Sequence, residues 1–372
     1  MKKSNIITIV LTSLFVLFFT GWNFFGKTPE YSDSERRVLA KFPEVTMERV
    51  LSGAFSKEFE EYTVDRFPMR DLWRTIKVYV RTGVFAQKDN HKIYVADGHI
   101  SKLEYPMNSE MVDHAANVFE KVKKRYLEDN DIYLAVIPDK NRYLAEKNGY
   151  LSIDYDAFSK YIKEKVHFAE YIEIADLLEA EDYYQTDTHW RQEKIQDVAD
   201  RLASAMGVKL DANYVSKQLD VPFYGVYAGQ SALFHKPDQI TYLVDERFEE
   251  IQVEGASAIY DFQKAEGKDS YEMFLSGNQP IVTMKNPQAQ NGKRLIIFRD
   301  SFASSLAPLM ISGYEEIVLV DLRYISSDML GEYVEFENAD VLFLYSTMLL
   351  NSSLSMKYKN EKFNSDGGQK CC

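Results

Sequence analysis

The stretch "RLIIFRDSFASSLAPLM", residues 294–310, joins a short apolar run, a polar tripeptide and a helix-like segment in direct succession. Apolar runs of this length are typical of strands that are buried on both faces. Similar runs occur at "IYLAVIP" (132–138), "EIVLVDL" (316–322) and "DVLFLYS" (340–346). Because segments that could be helices lie between them, the pattern predicts an α/β fold with a mostly parallel sheet flanked by helices.

A serine lies where this pattern turns from strand to helix. Ser301 follows the apolar run within the tripeptide Arg299-Asp300-Ser301. Open α/β folds bind ligands at the carboxyl edge of their parallel strands, and the free N–H groups of a helix N-terminus favour negative charge. Ser301 is therefore a candidate nucleophile, and the alternative is that it only caps the following helix.

An aspartate and a histidine stand two positions apart in "YYQTDTHW", residues 183–190. A serine hydroxyl needs a neutral imidazole to accept its proton and a third group to orient that imidazole. Asp187 and His189 supply these groups if they lie on an extended or turning loop, where both side chains can point to the same side. Two alternatives stay open, a capping or core histidine and a metal ligand beside Asp187, although the other histidines are scattered along the chain.

The remaining patterns predict further helices and a segment of different texture. Helical spacing of apolar residues runs over 108–130 and 191–207, and one or two helices interrupted near Pro68 are expected between residues 55 and 84. Residues 208–290 are richer in Gly, Tyr and alternating polar and apolar residues, which favours a β-rich insertion between the two halves of the sheet.

The beginning of the chain indicates a membrane segment. Lys2 and Lys3 precede an uncharged stretch from Ile6 to Phe25, which is long enough to cross a hydrocarbon core as a helix. No small-residue cleavage site follows it, so we expect a retained single-pass signal anchor and not a cleaved signal peptide. The basic flank should stay inside, which places residues from about 28 onward on the extracytoplasmic face of the cell membrane.

These patterns divide the chain into four predicted parts. Residues 1–27 are a basic cytoplasmic flank and transmembrane anchor, and residues 28–107 are a helical and connector region. Residues 108–355 form the α/β domain, with the β-rich insertion at about 208–290, and residues 356–372 form a polar flexible tail.

Charge and cysteine content exclude several classes of function. The formal net charge of −13 repels phosphate backbones, so we expect no nucleic-acid partner. The two cysteines are the last two residues, so no disulfide can cross-link the body of the fold and no zinc site can use thiolates there. We also expect no cofactor, because chemistry outside the membrane cannot use cytosolic coenzymes directly.

In order and spacing, these motifs resemble the DHHW family and the related alginate O-acetyltransferases of the SGNH-hydrolase-like superfamily. The resemblance is carried by "TDTHW" and, more than a hundred residues later, a strand that ends in "RDSF". It extends through most of residues 31–325 with "ERRVLAKFP", "FEEYTVDRFPMRD", "VIPDKNRYLAE", "VPFYGVYAG" and "VDLRY". The resemblance implies an SGNH-hydrolase-like sheet.

The resemblance also implies a catalytic triad of Asp187, His189 and Ser301, in the reverse chain order to ordinary GDSL esterases. Where the superfamily motif has glycine, this chain has Arg299, which leaves the role of that glycine in the site open. The backbone N–H of Ser301 is one candidate oxyanion donor. Further candidates for oxyanion or substrate binding are Lys140, Asn141, Arg299 and Tyr224.

These observations lead to the hypothesis of a membrane-anchored, extracytoplasmic O-acyltransferase that moves an acetyl group onto a cell-surface or exported polysaccharide through an acyl-serine intermediate. The resemblance implies that a membrane-bound O-acyltransferase partner supplies the acyl donor. Two alternatives remain: a carbohydrate esterase with the same triad, and a non-catalytic protein for polysaccharide binding or assembly, which the arginine at position 299 favours slightly.

Overall fold

The computed structural model describes residues 3–26, 29–32 and 34–356. Lys2 of the predicted basic flank and all of the predicted polar tail except Met356 lie outside the described residues. The described chain divides into two compact units. The first comprises residues 3–91 with 228–234, and the second comprises residues 92–227 with 235–356.

The helices and strands alternate along most of the chain. The α-helices are α1 (Lys3–Phe25), α2 (Met47–Leu51), α3 (Ala54–Asp65), α4 (Arg70–Tyr79), α5 (Ser109–Tyr126), α6 (Asn141–Leu144), α7 (Tyr155–Lys165), α8 (Gln196–Ala205), α9 (Val226–Ser231), α10 (Phe262–Ala265), α11 (Ala303–Met310) and α12 (Thr347–Leu350). The strands are β1 (Tyr31–Ser32), β2 (Arg37–Val38), β3 (Ile93–Ala96), β4 (His99–Lys102), β5 (Ile132–Ile137), β6 (Glu170–Tyr171), β7 (Val215–Phe223), β8 (Asp238–Val244), β9 (Gln252–Glu254), β10 (Ile281–Lys285), β11 (Arg294–Arg299), β12 (Glu316–Val320) and β13 (Ala339–Ser346).

Single turns of other helix types connect these elements. A π-helical turn, Val80–Val84, continues α4. The 3-10 turns are Glu146–Asn148, Ala175–Leu177, Ala180–Asp182, Gln192–Lys194, Glu246–Glu249, Ser270–Met273, Ile311–Gly313, Ser327–Glu332 and Ser353–Ser355.

The second unit is built on a seven-stranded sheet with the order β6-β5-β13-β11-β12-β10-β9. The strands from β6 to β12 in this order are parallel, whereas β10 pairs antiparallel with both β12 and β9. Phe298 of β11 lies opposite Phe343 on one neighbouring strand and Val320 on the other. The carboxyl ends of β5, β11 and β13 therefore meet at one edge of the sheet, where open α/β folds place their ligands.

Side chains on both faces of this sheet are buried. Along β11, Leu295 and Ile297 belong to a core that includes residues of α8 and α11, while Ile296 and Phe298 belong to a second core that includes residues of α5 and α7. Strands covered on both faces must be apolar at consecutive positions, and this requirement explains the uninterrupted apolar runs in the sequence. The predicted α/β class with a mostly parallel sheet is confirmed.

Residues 208–290 contribute strands to two different sheets. β7 and β8 pair as a separate antiparallel ribbon, whereas β9 and β10 join the main sheet at its antiparallel end. The segment is β-rich as expected, but two of its strands complete the main sheet instead of lying in an insertion. The alternating pattern of residues 281–285 predicts a strand without indicating which neighbours it pairs with.

The first unit contains the apolar N-terminal helix. Lys3–Trp22 within α1 has a mean hydropathy of 1.9 and is long and apolar enough to cross a membrane, and it is the one such helix among the described residues. Both a retained membrane anchor and a signal sequence contain a long apolar helix of this kind. Of the one or two helices predicted around Pro68, the structure has two, α3 and α4, which end and begin on either side of that proline.

Candidate active site

Ser301 lies in a tight connection between β11 and α11. We call residues 299–302 the nucleophile loop. Asp300 fixes this loop, because its Oδ1 accepts the N–H of Phe302 at 3.1 Å and its Oδ2 accepts the N–H of Ser346, at the end of neighbouring β13, at 2.9 Å. Ser301 is partly exposed, and its own N–H makes no hydrogen bond to any residue in the described part of the chain. The loop thus presents both the hydroxyl and a free donor at the carboxyl edge of the sheet.

Asp187 and His189 lie in a loop without regular secondary structure. We call residues 183–190 the histidine loop, whose ends meet in a bridge between Tyr183 and Trp190. The ammonium group of Lys140 donates to the carbonyl oxygens of Tyr184 and Gln185 at 2.8 and 3.1 Å. From the start of β8, the carboxylate of Asp238 accepts the N–H groups of Gln185 and Thr186 at 2.8 and 2.7 Å. The buried ammonium group of Lys140 and the partly buried carboxylate of Asp238 therefore hold the first half of the histidine loop.

The segment that starts at Gly225 holds the second half of the histidine loop. The N–H of Gly225 donates to the Thr186 hydroxyl at 2.9 Å, and the N–H of Val226 donates to Oδ2 of Asp187 at 2.8 Å. A Cβ added to Gly225 would lie only 2.3 Å from Cβ of Asp187. Only glycine allows the two backbones to approach this closely.

Asp187, His189 and Ser301 form one continuous hydrogen-bonded chain. Nδ1 of His189 lies 2.6 Å from Oδ1 of Asp187, and Nε2 of His189 lies 2.8 Å from Oγ of Ser301. Both distances fall within the range expected for a base and its nucleophile. With a carboxylate on one side, Nδ1 carries the proton, so Nε2 is free to accept the proton of the serine hydroxyl.

The environment of Asp187 favours its ionised form. Burial alone would raise the pKa of this carboxyl group, but the charge and hydrogen bonds of His189 and the N–H of Val226 together hold the pKa of Asp187 below its ordinary value. The carboxylate therefore remains negative at neutral pH and can stabilise an imidazolium ion on His189.

Two aromatic rings fix the plane of the His189 ring. Tyr271 stacks on it with ring centroids 3.8 Å apart and planes 10° apart, and Phe302 lies 4.9 Å away at a tilt of 53°. The Tyr271 hydroxyl is 2.8 Å from Oγ of Ser305, which also accepts the indole N–H of Trp190 at 2.9 Å. This buried network links the tyrosine, the end of the histidine loop and helix α11.

Comparison with solved structures identifies proteins of similar fold. A DHHW family protein from Eubacterium siraeum is 21% identical to this chain, with a TM-score of 0.52, over 69% of this chain and 91% of its own. PatB1 of Bacillus cereus is 17% identical, with a TM-score of 0.55, over 73% and 100%. The O-acetyltransferase domain of Pseudomonas putida AlgJ is 13% identical, over 74% and 96%, but its TM-score of 0.44 is too low to support a structural argument. No family model matches the chain, and no curated protein matches it either.

The chain shares its fold with a DHHW family protein. The resemblance found in the motifs is therefore confirmed at the level of the fold. Identities of about one residue in five carry no information on substrate, so the chemistry has to be argued from the side chains of this chain.

Lys140 and Asn141 lie at the end of β5 but are not open to a substrate. Both are buried, and the amide of Asn141 accepts from the Tyr94 hydroxyl at 2.8 Å and donates to the Ser152 hydroxyl at 3.2 Å. The ammonium group of Lys140 is occupied by the histidine loop, and burial lowers its pKa to about 7 although nearby carboxylates oppose the shift. The structure thus gives these predicted oxyanion or substrate residues a supporting position.

Arg299 and Tyr224 are placed very differently from each other. Arg299 is fully buried, and its guanidinium group donates to the carbonyl oxygen of Gln279 at 3.3 Å and to the Ser304 hydroxyl at 3.2 Å, so it does not face a substrate. The side chain of the arginine that replaces the motif glycine thus lies in the protein interior. Tyr224 is 53% exposed and directly precedes Gly225, so a ligand can reach it.

Three residues that shape the site, Asp238, Gly225 and Tyr271, are not among the site residues that the sequence predicts. Lys140 is among them, but it holds the histidine loop. The glycine in "FYGVYAG" is a signal that could have pointed to a close backbone approach. Nothing in the local sequence marks Asp238 or Tyr271, because their importance comes from contacts with residues tens of positions away.

Proposed function

We propose that this protein is a serine O-acyltransferase that moves an acetyl group onto a cell-surface or exported polysaccharide. The observation that supports this proposal is the placement of His189 between the Asp187 carboxylate and the Ser301 hydroxyl, at 2.6 and 2.8 Å. A non-catalytic binding protein has no need of such a chain at a partly exposed serine. The arginine at position 299 no longer favours that alternative, because its side chain is buried against Ser304 and Ser301 remains partly exposed.

In the first step Oγ of Ser301 attacks the carbonyl carbon of the acyl donor. The hydroxyl proton moves to Nε2 of His189, and Asp187 stabilises the resulting imidazolium ion. The N–H of Ser301 is the donor that we propose for the developing oxyanion. The tetrahedral intermediate then collapses, the bond to the leaving group breaks, and the leaving group takes the proton from His189, which leaves an acyl ester on Ser301.

In the second step a sugar hydroxyl attacks the acyl-serine. His189 accepts the proton of that hydroxyl, the new ester forms on the sugar, and Oγ of Ser301 recovers the proton as the acyl group departs. We further propose that a membrane-bound O-acyltransferase partner supplies the acyl donor, since α1 is apolar enough to hold the domain at a membrane.

PatB1 offers additional support for a reactive nucleophile in this fold. A structure of PatB1 with a sulfonyl adduct matches 69% of this chain with a TM-score of 0.54. Sulfonyl reagents form such adducts with activated nucleophiles. By analogy we propose that Ser301 of this chain reacts with the same class of reagent.

The test is to incubate the full chain in detergent with p-nitrophenyl acetate and to look for an acetyl group by peptide mass spectrometry. We expect the adduct on Ser301, its absence in Ser301→Ala, and its strong reduction in His189→Ala. Ser312→Ala serves as the matched control, because the Ser312 hydroxyl only accepts the N–H of Asp211 at 3.2 Å. An unmodified Ser301 in the wild-type protein would overturn the proposal.

The group that accepts the acetyl group, a sugar hydroxyl or water, distinguishes a transferase from an esterase. With an added oligosaccharide, we expect acetyl groups to appear on sugar hydroxyls faster than acetate appears in solution. Release of acetate alone from acetylated polysaccharide would identify an esterase with the same triad.

Because Tyr224 is exposed beside the histidine loop, we propose that it contacts the acceptor. Tyr224→Ala should then lower transfer to polysaccharide while hydrolysis of the small ester is unchanged, and undiminished transfer would exclude this role.

A further inference from the structure

Helix α4, in the first unit, packs with its polar face inward. The buried side of the helix carries Arg70 and Arg74, whose side chains are only 16% and 18% exposed, together with the buried Val78. Arg70 lies 2.6 Å and Arg74 3.3 Å from the carboxylate of Glu35, and Arg74 also donates to the carbonyl oxygen of Gly229 at 3.0 Å. Ion pairs and hydrogen bonds therefore attach this face of the helix to the rest of its unit.

The opposite face of α4 is apolar and exposed. Helical spacing places its large apolar side chains on one side, and we call them the apolar stripe: Met69, Leu72, Trp73, Ile76, Tyr79 and Val80. Each of them is at least 39% exposed. The stripe continues past the helix with Val84 and Phe85, which are 73% and 67% exposed, and the ring of Phe234 lies 6.5 Å from that of Tyr79. A helix in water would normally turn this face toward its own core, so the stripe indicates a contact with something apolar.

We propose that the apolar stripe lies in the lipid interface of a membrane, an inference that rests on the expectation that α1 crosses that membrane. An interfacial helix has this composition, with Trp, Leu and Ile on one face and Arg and Lys on the other. Tyr and Trp side chains prefer the depth where hydrocarbon meets headgroups.

Contacts with α1 support the proposal that lipid covers the apolar stripe. The ring of Phe19 stacks on Phe67 with centroids 5.2 Å apart and lies 6.2 Å from the ring of Trp73. Phe19 comes six residues before the end of α1 at Phe25, which is about 9 Å along a helix axis. Interfacial helices bury their apolar faces about 5–10 Å deep, so the stripe meets the membrane helix at the depth expected for a helix lying in the interface.

Local charge also favours a lipid surface. Besides Arg70 and Arg74, which pair with Glu35, residues 66–88 contain the basic side chains of Arg66, Lys77, Arg81 and Lys88 and the acidic side chain of Asp71, in a chain whose net charge is −13. A basic segment beside an apolar stripe attracts anionic lipid headgroups.

Depth-dependent fluorescence quenching on the full chain tests the proposal. The two cysteines Cys371 and Cys372 are replaced by serine, and single cysteines labelled with a nitrobenzoxadiazole dye are introduced by Ile76→Cys and Val80→Cys on the stripe. Lys77→Cys and Asp71→Cys, at exposed positions of the same helix outside the stripe, are the matched controls. The proteins are reconstituted in vesicles of phosphatidylcholine and phosphatidylglycerol, with doxyl-labelled lipid or aqueous iodide as quenchers. All four variants contain α1, so differences between them report on the stripe alone.

We expect doxyl lipid to quench the dye at positions 76 and 80 about fivefold more than at 71 and 77, with the reverse order for iodide. Equal quenching by iodide at all four positions would mean that the stripe faces water and would overturn the proposal. Protection of positions 76 and 80 from both quenchers would also overturn it, because protein would then cover the stripe. Two positions on the stripe and two outside it keep the result interpretable if one variant fails to fold.

Discussion

The histidine loop and the nucleophile loop meet at two hydrogen bonds, one between His189 and Ser301 and one from the indole N–H of Trp190 to the carbonyl oxygen of Phe302 at 3.1 Å, yet the surrounding protein holds them in different ways. The nucleophile loop continues directly from a central strand into a helix, and Asp300 ties it to the neighbouring strand. The histidine loop has no regular structure of its own. Its position depends on donors and acceptors from distant parts of the chain, chiefly Lys140, Asp238 and the backbone after Gly225.

This difference has a consequence for substitutions around the site. Changes near Ser301 act on a loop that the sheet and the helix hold in place, whereas the loss of one distant support can shift the whole histidine loop. A displacement of about 1 Å can cost on the order of 100-fold in rate. The supports of the histidine loop should therefore matter for activity almost as much as residues that contact the substrate.

The largest effect is expected for the triad, where the two loops act as one unit. Ser301→Ala and His189→Ala should each lower kcat for acyl transfer by a factor on the order of 10⁴ or more, and the double variant should be no worse. Asp187→Asn should retain the fold but lose the orientation of His189, with a large though smaller decrease. The measurement is the initial rate at which each of these four variants reacts with an activated acetyl ester.

The rate of the double variant could contradict the triad prediction. If the decreases of Ser301→Ala and His189→Ala multiply in the double variant, the two side chains act independently and the bond between Nε2 and Oγ is not part of the reaction. Melting temperatures within a few degrees of the wild-type value would show that the decreases arise from chemistry.

The two loops also differ in how far the sequence could predict them. The strands around Ser301 were predicted within about two residues, because consecutive apolar positions leave few alternatives to a buried strand. Asp187 and His189 were identified from residue type and spacing. The supports of the histidine loop were not, because a buried lysine or a stacked tyrosine has no local pattern, and the membership of β10 in the main sheet depends on long-range pairing in the same way.

The next largest effect is expected where the second half of the histidine loop meets Gly225. In Gly225→Ala the new Cβ would lie 2.3 Å from Cβ of Asp187 and 2.5 Å from the carbonyl oxygen of Thr186, so one backbone must move. We expect kcat to fall about 100-fold through the displaced Asp187. Gly83→Ala is the matched control, since its Cβ would meet nothing within 4 Å, and it should leave kcat on the small ester unchanged. Wild-type activity in Gly225→Ala would mean that the loop tolerates the shift.

Lys140→Met should have a smaller effect on kcat and a distinct effect on the pH dependence of stability. In the folded chain burial lowers the pKa of Lys140 to about 7, whereas an unfolded lysine has a pKa of about 10.4. Between these values the unfolded chain binds more protons, so this lysine makes the free energy of unfolding increase as pH rises from 7 to 10. Lys140→Met removes that contribution and two hydrogen bonds to the histidine loop, and we expect kcat to fall about tenfold.

Urea unfolding at intervals from pH 6 to pH 10 measures this effect. The difference in free energy of unfolding, wild type minus Lys140→Met, should be constant below pH 7 and should increase above it. Lys160→Met changes an exposed lysine of α7 and serves as the control. A difference that stays flat across the whole range would show that Lys140 titrates as it does in the unfolded chain.

The smallest expected effect concerns Tyr271, which holds the ring of His189 without bonding to it. During acyl transfer the imidazole becomes positively charged, and the face of an aromatic ring at 3.8 Å stabilises a cation by about 0.5–2 kcal/mol. Tyr271→Leu should therefore lower kcat about 2- to 30-fold, since 1.36 kcal/mol corresponds to a factor of ten in rate. Tyr271→Phe keeps the ring and loses only the contact of the hydroxyl with Ser305, so it should retain most of the activity while losing some stability. A loss of kcat in Tyr271→Phe as large as in Tyr271→Leu would assign the effect to the hydrogen bond with Ser305. In that case the buried network beneath helix α11, and not the stacked ring, would position the histidine against the serine.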